Sequence, residues 1–339
     1  MRQKTIPSLI DQFRGAIAGA MLGYLTGLHY SSIYPPTHPL SLIGPSLDWS
    51  WLTSPNQRIG SSENVQEVLA LYCTIGHKLF WTEGTRIQAK RRHQVIHASS
   101  NDHTAHSNNS SIVPILDMLR TLKHLVEGYP ATMQDAPKLT LLDPITADRN
   151  PLQAIFALLP ILLLYHDNMA KQQDWIASWL QYWEYPNEWL PNFSTVGLTL
   201  AQAMRDRTTE EKSKSRELQS VDGLHPSIYH SCNTFLYSSS HYEMGLLGIL
   251  YRYARLEKDW ATLPLVMGLN GSLWGCKVGF AGLPLIWRHT MTTYKQSLTL
   301  HTDASQGHDA GTQLMALWSG QKPSMERKYP TTMIPRSIL

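Results

Sequence analysis

Glycines fall at positions 15, 19, 23 and 27 of the stretch FRGAIAGAMLGYLTG, which covers residues 13–27. At 3.6 residues per turn, a four-residue spacing lines one face of a helix. A glycine inside a helix costs about 0.5–1 kcal/mol relative to alanine, so four of them need an offset. A face without Cβ atoms supplies one, because it lets a second helix approach backbone to backbone. The stretch VMGLNGSLWGCKVGFAGLP repeats the spacing at Gly271, Gly275 and Gly279, with Gly268 about one turn earlier. These two helices, one near each end of the chain, are therefore expected to pack directly on each other. That contact would close residues 1–290 into one helical domain and leave residues 291–339 as a partly irregular C-terminal extension.

The chain between them reads as further helices and loops. The first helix is expected over 7–28, with Ser8 as its N-cap ahead of Asp11. Residues 31–60 carry Pro35, Pro36, Pro39, Pro45 and Pro55, which exclude continuous helix and imply a long ordered loop with Trp49 and Trp51 pinning it to the body. A helix over 61–80 is capped by Ser61 or Ser62, and Val65, Val68, Leu69, Tyr72 and Cys73 form its apolar stripe. Further helices are expected over 112–126, 151–169 with a kink at Pro160, 174–183, 196–204, 241–255 and 262–279. Trp175, Trp179 and Trp183 repeat at helical spacing, the pattern of a core stripe or a partner surface. The mixed-charge run 205–220 reads as an exposed helix or linker inside the domain. After Trp287 the helical pattern fades, and 322–339 reads as a loose tail. No βαβ alternation, Walker sequence or GxGxxG is present, so the fold class is all-α.

Composition narrows the function classes. With 339 residues and 42% hydrophobic content the chain can bury a large core, whereas its 16% charged content is well below the usual quarter or so. A surface so poor in charge suits cover by a protein partner. The formal net charge of +3 has no concentrated source, and the one dense basic run, Lys90, Arg91 and Arg92, has no interleaved aromatics, so nucleic acid is not expected. The three cysteines, Cys73, Cys232 and Cys276, form no CxxC pair and suit buried thiols in a reducing compartment. No apolar run reaches the length of a membrane span; the longest candidate, 154–165, is short and contains Pro160. The N-terminal Arg and Lys precede an apolar stretch, but no small-residue cleavage site follows and Arg14 interrupts it, so a cytoplasmic protein is expected. His93 and His97 have the i, i+4 spacing of metal ligands, but no acid or thiol nearby completes a set. With His103, His106 and the rest of 93–111 they read as a solvated polar segment.

Three stretches together resemble the ADP-ribosylglycohydrolase family. FRGAIAGAMLGYLTG is similar to that family's opening helix, where an FRG-type start leads into a glycine-spaced helix. SSENVQEVLALY stands where the family has a Thr-Asp-Asp-Thr helix start. Residues 240–287 resemble the closing block: an acidic helix, an Asp-x-Asp-Thr helix start, a glycine-spaced helix and then Ile-Pro and Trp, here Leu283-Pro284 and Trp287. The resemblance spans most of residues 10–290. It implies a compact orthogonal helical bundle in which carboxylates between helices hold two magnesium or manganese ions. Those ions engage ADP-ribose and position the attack on its glycosidic link, work that hard cations do through several oxygen ligands.

The ligand positions depart from that pattern. Aligned on Gln66 and Leu69, Thr-Asp-Asp-Thr becomes Ser62, Glu63, Asn64 and Val65. Aligned on Gly271 and Gly275, Asp-x-Asp-Thr becomes Thr262, Leu263, Pro264 and Leu265, without a carboxylate. Tyr24 replaces the aspartate that follows the third glycine of the first helix. The sequence 307–312 (GHDAGT) superficially resembles the missing motif but lies beyond Trp287 and reads as a polar loop, and Asp259 stands one turn out of place. There is no GxSxG elbow, and His241 and Glu243 fall on different helix faces. The expectation is a scaffold retained and a two-metal site lost: no catalytic residue, no bound metal or other cofactor, and a protein partner. Two alternatives follow from the same positions. One is a sensor that binds ADP-ribose or a related nucleotide without turnover. The other is a residual hydrolase using Glu63, Asn64 and Asp259 around one magnesium or manganese ion.

Overall fold

A computed structural model describes residues 7–33, 46–52, 68–69, 72, 113–127, 150–182, 185–205, 223–237, 242–255, 260–301 and 309–320. Among these residues there is no strand, and the fold is all-α. The helices are α1 (Leu9–Ile33), α2 (Val113–Glu127), α3 (Pro151–Ala157), α4 (Leu159–Leu164), α5 (Met169–Tyr182), α6 (Leu190–Arg205), α7 (Pro226–Tyr237), α8 (Tyr242–Arg255), α9 (Leu263–Val278), α10 (Leu285–His301) and α11 (Ala310–Trp318). Short 3₁₀ turns occur at Ser50–Leu52, Asn187–Trp189, Trp260–Thr262 and Phe280–Gly282.

The glycine-spaced helices pack directly and antiparallel. A Cβ at Gly15 would strike the carbonyl oxygen of Gly275, one at Gly19 the carbonyl of Gly271, one at Gly23 the carbonyl of Met267, and one at Gly27 the backbone of Pro264. Gly271 and Gly275 meet the carbonyls of Gly19 and Gly15 in return. Contact this close excludes side chains and water from the seam along four turns. The hydroxyl of Tyr242, at the start of α8, donates to the Gly19 carbonyl at 2.6 Å and so satisfies a backbone acceptor at the crossing. Burial pushes the Tyr242 phenol well above its ordinary range, which keeps it protonated as a donor. Gly279 ends α9 with φ 72°, a left-handed cap that suits glycine.

Every residue of α9 from Leu263 to Cys276 is buried. A helix buried on every face belongs at the centre of a domain. α1, α3, α6, α7 and α8 surround it, and close approach recurs at their contacts. The Phe156 ring occupies the space above Gly268, and the Trp274 indole that above Gly245. Pro160 breaks the apolar run 151–164 into α3 and α4 at Leu158, as its missing N–H requires. The end of α4 leaves a carbonyl without a helical partner, and the buried Gln172 of α5 donates to Leu162 O at 2.8 Å. That amide also fills the space left by Gly197 of α6.

Several expected boundaries shift. The first helix runs from Leu9 to Ile33 rather than over 7–28, and Ser8 Oγ accepts from Asp11 N at 3.2 Å as the cap requires. Both pinning tryptophans behave as expected, with Trp51 buried and Trp49 packed against the core. The main correction lies beyond Trp287. Helix continues to His301, across position 290, and 309–312 is the capped start of α11 rather than a polar loop. α11 returns to α1, where a Cβ at Gly311 would strike the backbone of Arg14. The fading pattern has a physical origin: α10 is largely polar after Met291, so its period is weak, while α11 needs only a short apolar face. Residues 93–111, 206–220, 322–339 and most of 31–60 and 61–80 lie outside the described residues.

Substituting Gly275→Ala should lower unfolding free energy by about 3 kcal/mol, because the methyl meets backbone that cannot rotate away. Gly248, on the exposed side of α8, has no described atom within 4 Å of its Cβ position. Gly248→Ala should therefore stabilise by about 0.5–1 kcal/mol. Urea unfolding midpoints of the two variants, at unchanged m-value, check the contrast.

Candidate functional site

The C-terminal half of α1 meets the first turn of α9 where the resemblance places metal-binding carboxylates. Each side chain there is set by the glycine seam. Gly23 seats against Met267, which turns the next residue, Tyr24, toward α3. Tyr24 is 5% exposed and its ring centroid lies 5.4 Å from that of Phe156. Burial alone pushes its phenol far up, so it offers no phenolate oxygen. Pro264 is buried beneath Gly27, and Leu265 is buried beside it. Thr262 precedes the helix without a side-chain cap bond, and its hydroxyl lies 3.3 Å from the hydroxyl of Tyr253.

Of the positions that would carry metal ligands, the structure describes Tyr24, Thr262, Pro264 and Leu265, with Tyr24 against Phe156 of α3, Thr262 beside Tyr253 of α8 and Pro264 against Gly27 of α1. These are one phenol, one threonine hydroxyl already beside another hydroxyl, and two hydrocarbon side chains. A hard divalent cation takes six or more oxygens, several of them anionic, and this group does not fit that demand. Ser62, Glu63, Asn64, Val65 and Asp259 lie outside the described residues. Of the helix expected over 61–80, Val68, Leu69 and Tyr72 are described, all helical and buried as the apolar stripe predicts. Among the described residues no three His, Cys, Asp or Glu side chains gather as a metal group.

Two sets of interactions escaped the sequence reading. The first joins the other end of α1 to α11. Arg14 Nε donates to Asp309 Oδ2 at 2.8 Å, while Thr312 N and Oγ1 and Tyr72 OH donate to Oδ1 at 3.0, 3.1 and 3.4 Å. Burial disfavours the Arg14 cation, and Asp309, Tyr72 and Asp11 together more than restore it. The guanidinium also lies 4.2 Å from the Phe280 ring centroid. With both oxygens engaged, Asp309 is a helix cap and ion-pair partner. It is tied to Arg14, ten residues from Tyr24, or about 15 Å along the helix axis. The signal was present as an aspartate followed three residues later by threonine and then an apolar run, an N-cap pattern.

The second set is the segment 47–52. Trp49 Nε1 donates to Glu243 Oε1 at 2.9 Å, and Trp51 stacks on the buried His29 of α1. Glu243, read from sequence as paired with nothing, therefore anchors this segment. The thiols are not nucleophiles in this setting: Cys232 and Cys276 are buried, and burial pushes Cys232 up to about 12. Cys73 lies outside the described residues.

No protein-family model matches the chain, and no curated protein matches it.

Tyr24→Asp replaces the stacked phenol with the carboxylate expected of a metal site. Because the position is 5% exposed and faces Phe156, the substitution should destabilise by about 3–5 kcal/mol. Thermal unfolding with and without 5 mM magnesium checks this, and a magnesium-dependent recovery of Tm would show a latent cation site.

Proposed function

We propose that this chain is a catalytically inactive, ADP-ribosylglycohydrolase-like protein that acts as a protein-binding or regulatory component and carries no metal. The observation that carries this reading is the apolar packing of Tyr24 on Phe156, together with Pro264 and Leu265, at the junction of α1 and α9. Placing ionised carboxylates and cations there would require burying charge among hydrocarbon, which is costly without full coordination. Support for the scaffold half of the reading comes from the glycine seam, which keeps the spacing of the resembling family on both helices. Support for a binding role comes from the low charge of the chain, since a surface of neutral side chains is readily covered by a partner.

Isothermal titration with ADP-ribose, with and without magnesium or manganese, tests the reading. The expected result is no binding heat in either condition at millimolar ligand. Metal-dependent binding would overturn it and restore the hydrolase alternative. Metal-independent binding would make the protein a nucleotide sensor.

A further inference from the structure

Segment 47–52 crosses the end of α1 and is fastened at three points. The Asp48 backbone N–H donates to the Tyr30 hydroxyl at 3.1 Å, and the Trp49 indole N–H to the Glu243 carboxylate at 2.9 Å. At the third point the Trp51 ring lies nearly parallel to His29, with centroids 5.2 Å apart and planes at 19°. Both are buried, His29 at 4% and Trp51 at 5% exposure. The Tyr30 ring meets the imidazole edge-on at 5.3 Å. Neither His29 Nδ1 nor Trp51 Nε1 has a hydrogen-bond partner among the described residues.

We infer that segment 47–52 is an acid-released strap, held on α1 by the neutral imidazole of His29 and detached when that imidazole takes a proton. A proton on Nδ1 would add a buried N–H with no acceptor among the described residues and a charge largely withdrawn from water. Two effects oppose this. A cation over the Trp51 face gains about 1–2 kcal/mol, and the Asp48 carboxylate attracts it. Asp48, however, is exposed and so screened by water and salt. Burial outweighs the pull of Asp48 and pushes His29 down to about 4, and the attraction of the Trp51 ring offsets part of that fall without reversing it. Among the described residues, the other titratable groups on the elements that touch the strap include Tyr30 on α1, Glu243 on α8, and Arg288 and His289 on α10, which packs against the 50–52 turn. Arg288 donates to the Leu283 carbonyl and His289 is exposed.

The direction of the effect follows by linkage. A base whose value is lowered in the closed state holds that state fully above its free value of about 6.5 and loses hold as pH falls toward about 4. Between pH 7.5 and 5 the opening constant should therefore rise about 30-fold.

Amide hydrogen exchange of 47–52, corrected for intrinsic rates, measures that constant. The wild-type protein should lose about 30-fold of its protection across this interval. His29→Phe, which keeps a stacked ring and has no proton to gain, should show equal protection at both pH values. Glu243→Gln keeps an acceptor for Trp49 but cannot titrate, and should retain the wild-type dependence. A pH dependence shared by wild type and His29→Phe would overturn the proposal, as would its disappearance in Glu243→Gln. Should His29→Phe not fold, NMR of the wild-type protein decides: loss of the Trp51–His29 ring contact in step with the His29 titration supports the strap, and titration of the ring with that contact intact refutes it.

Discussion

The backbone contact between α1 and α9 constrains everything else in this molecule. With no Cβ at four successive turns, each helix puts its carbonyls against the other's glycine Cα atoms, and the pair behaves as one rigid unit. Other helices must then pack around a central pair rather than between its members. α3, α6, α7 and α8 do so on α9, and α11 does so on α1. The same device recurs at smaller scale, with Phe156 over Gly268, Trp274 over Gly245 and Gly311 against Arg14. Large aromatics and missing side chains are thus matched partners, which is how a core with so many tryptophans reaches close packing.

Burying helices this deeply leaves polar atoms that need partners, and side chains from neighbouring helices supply them. Tyr242 serves the Gly19 carbonyl and Gln172 that of Leu162. The buried Asn270 amide donates to both Ser231 Oγ and Val266 O, at 2.9 and 2.8 Å. Asn192 accepts from His225 N and donates to Gly223 O, clipping the approach to α7. Each of these bonds contributes about 1 kcal/mol at most, yet leaving any acceptor bare in the core would cost more. They fix which helix faces which neighbour, a role that apolar packing alone performs loosely.

The two ends of α1 have opposite character. Near its start, Arg14, Asp309, Tyr72 and Thr312 form a satisfied polar node that ties the last described helix to the first. Toward its other end, Tyr24 and its neighbours form an apolar plug, followed by His29 beneath Trp51. Charge on this helix is thus used for fastening, and its C-terminal half packs against rings.

What the sequence determined by itself is whatever followed from local periodicity and spacing. The four-residue glycine repeat was enough to identify α1 and α9 and to pair them across some 250 residues, because nothing else offsets so many helical glycines. Ser8 as a cap, the break at Pro160 and the buried stripe of Val68, Leu69 and Tyr72 were legible for the same reason: each depends on neighbours within one or two turns. That Tyr24, Thr262, Pro264 and Leu265 bring no carboxylate was legible too, since residue type alone shows it. Tertiary structure decided the rest. Asp309 became a cap and ion-pair partner only because α11 folds back onto Arg14, 295 positions away. Glu243 found Trp49, and His29 found Trp51, through contacts whose energy depends on burial and distance, and neither quantity is written in the order of residues along the chain.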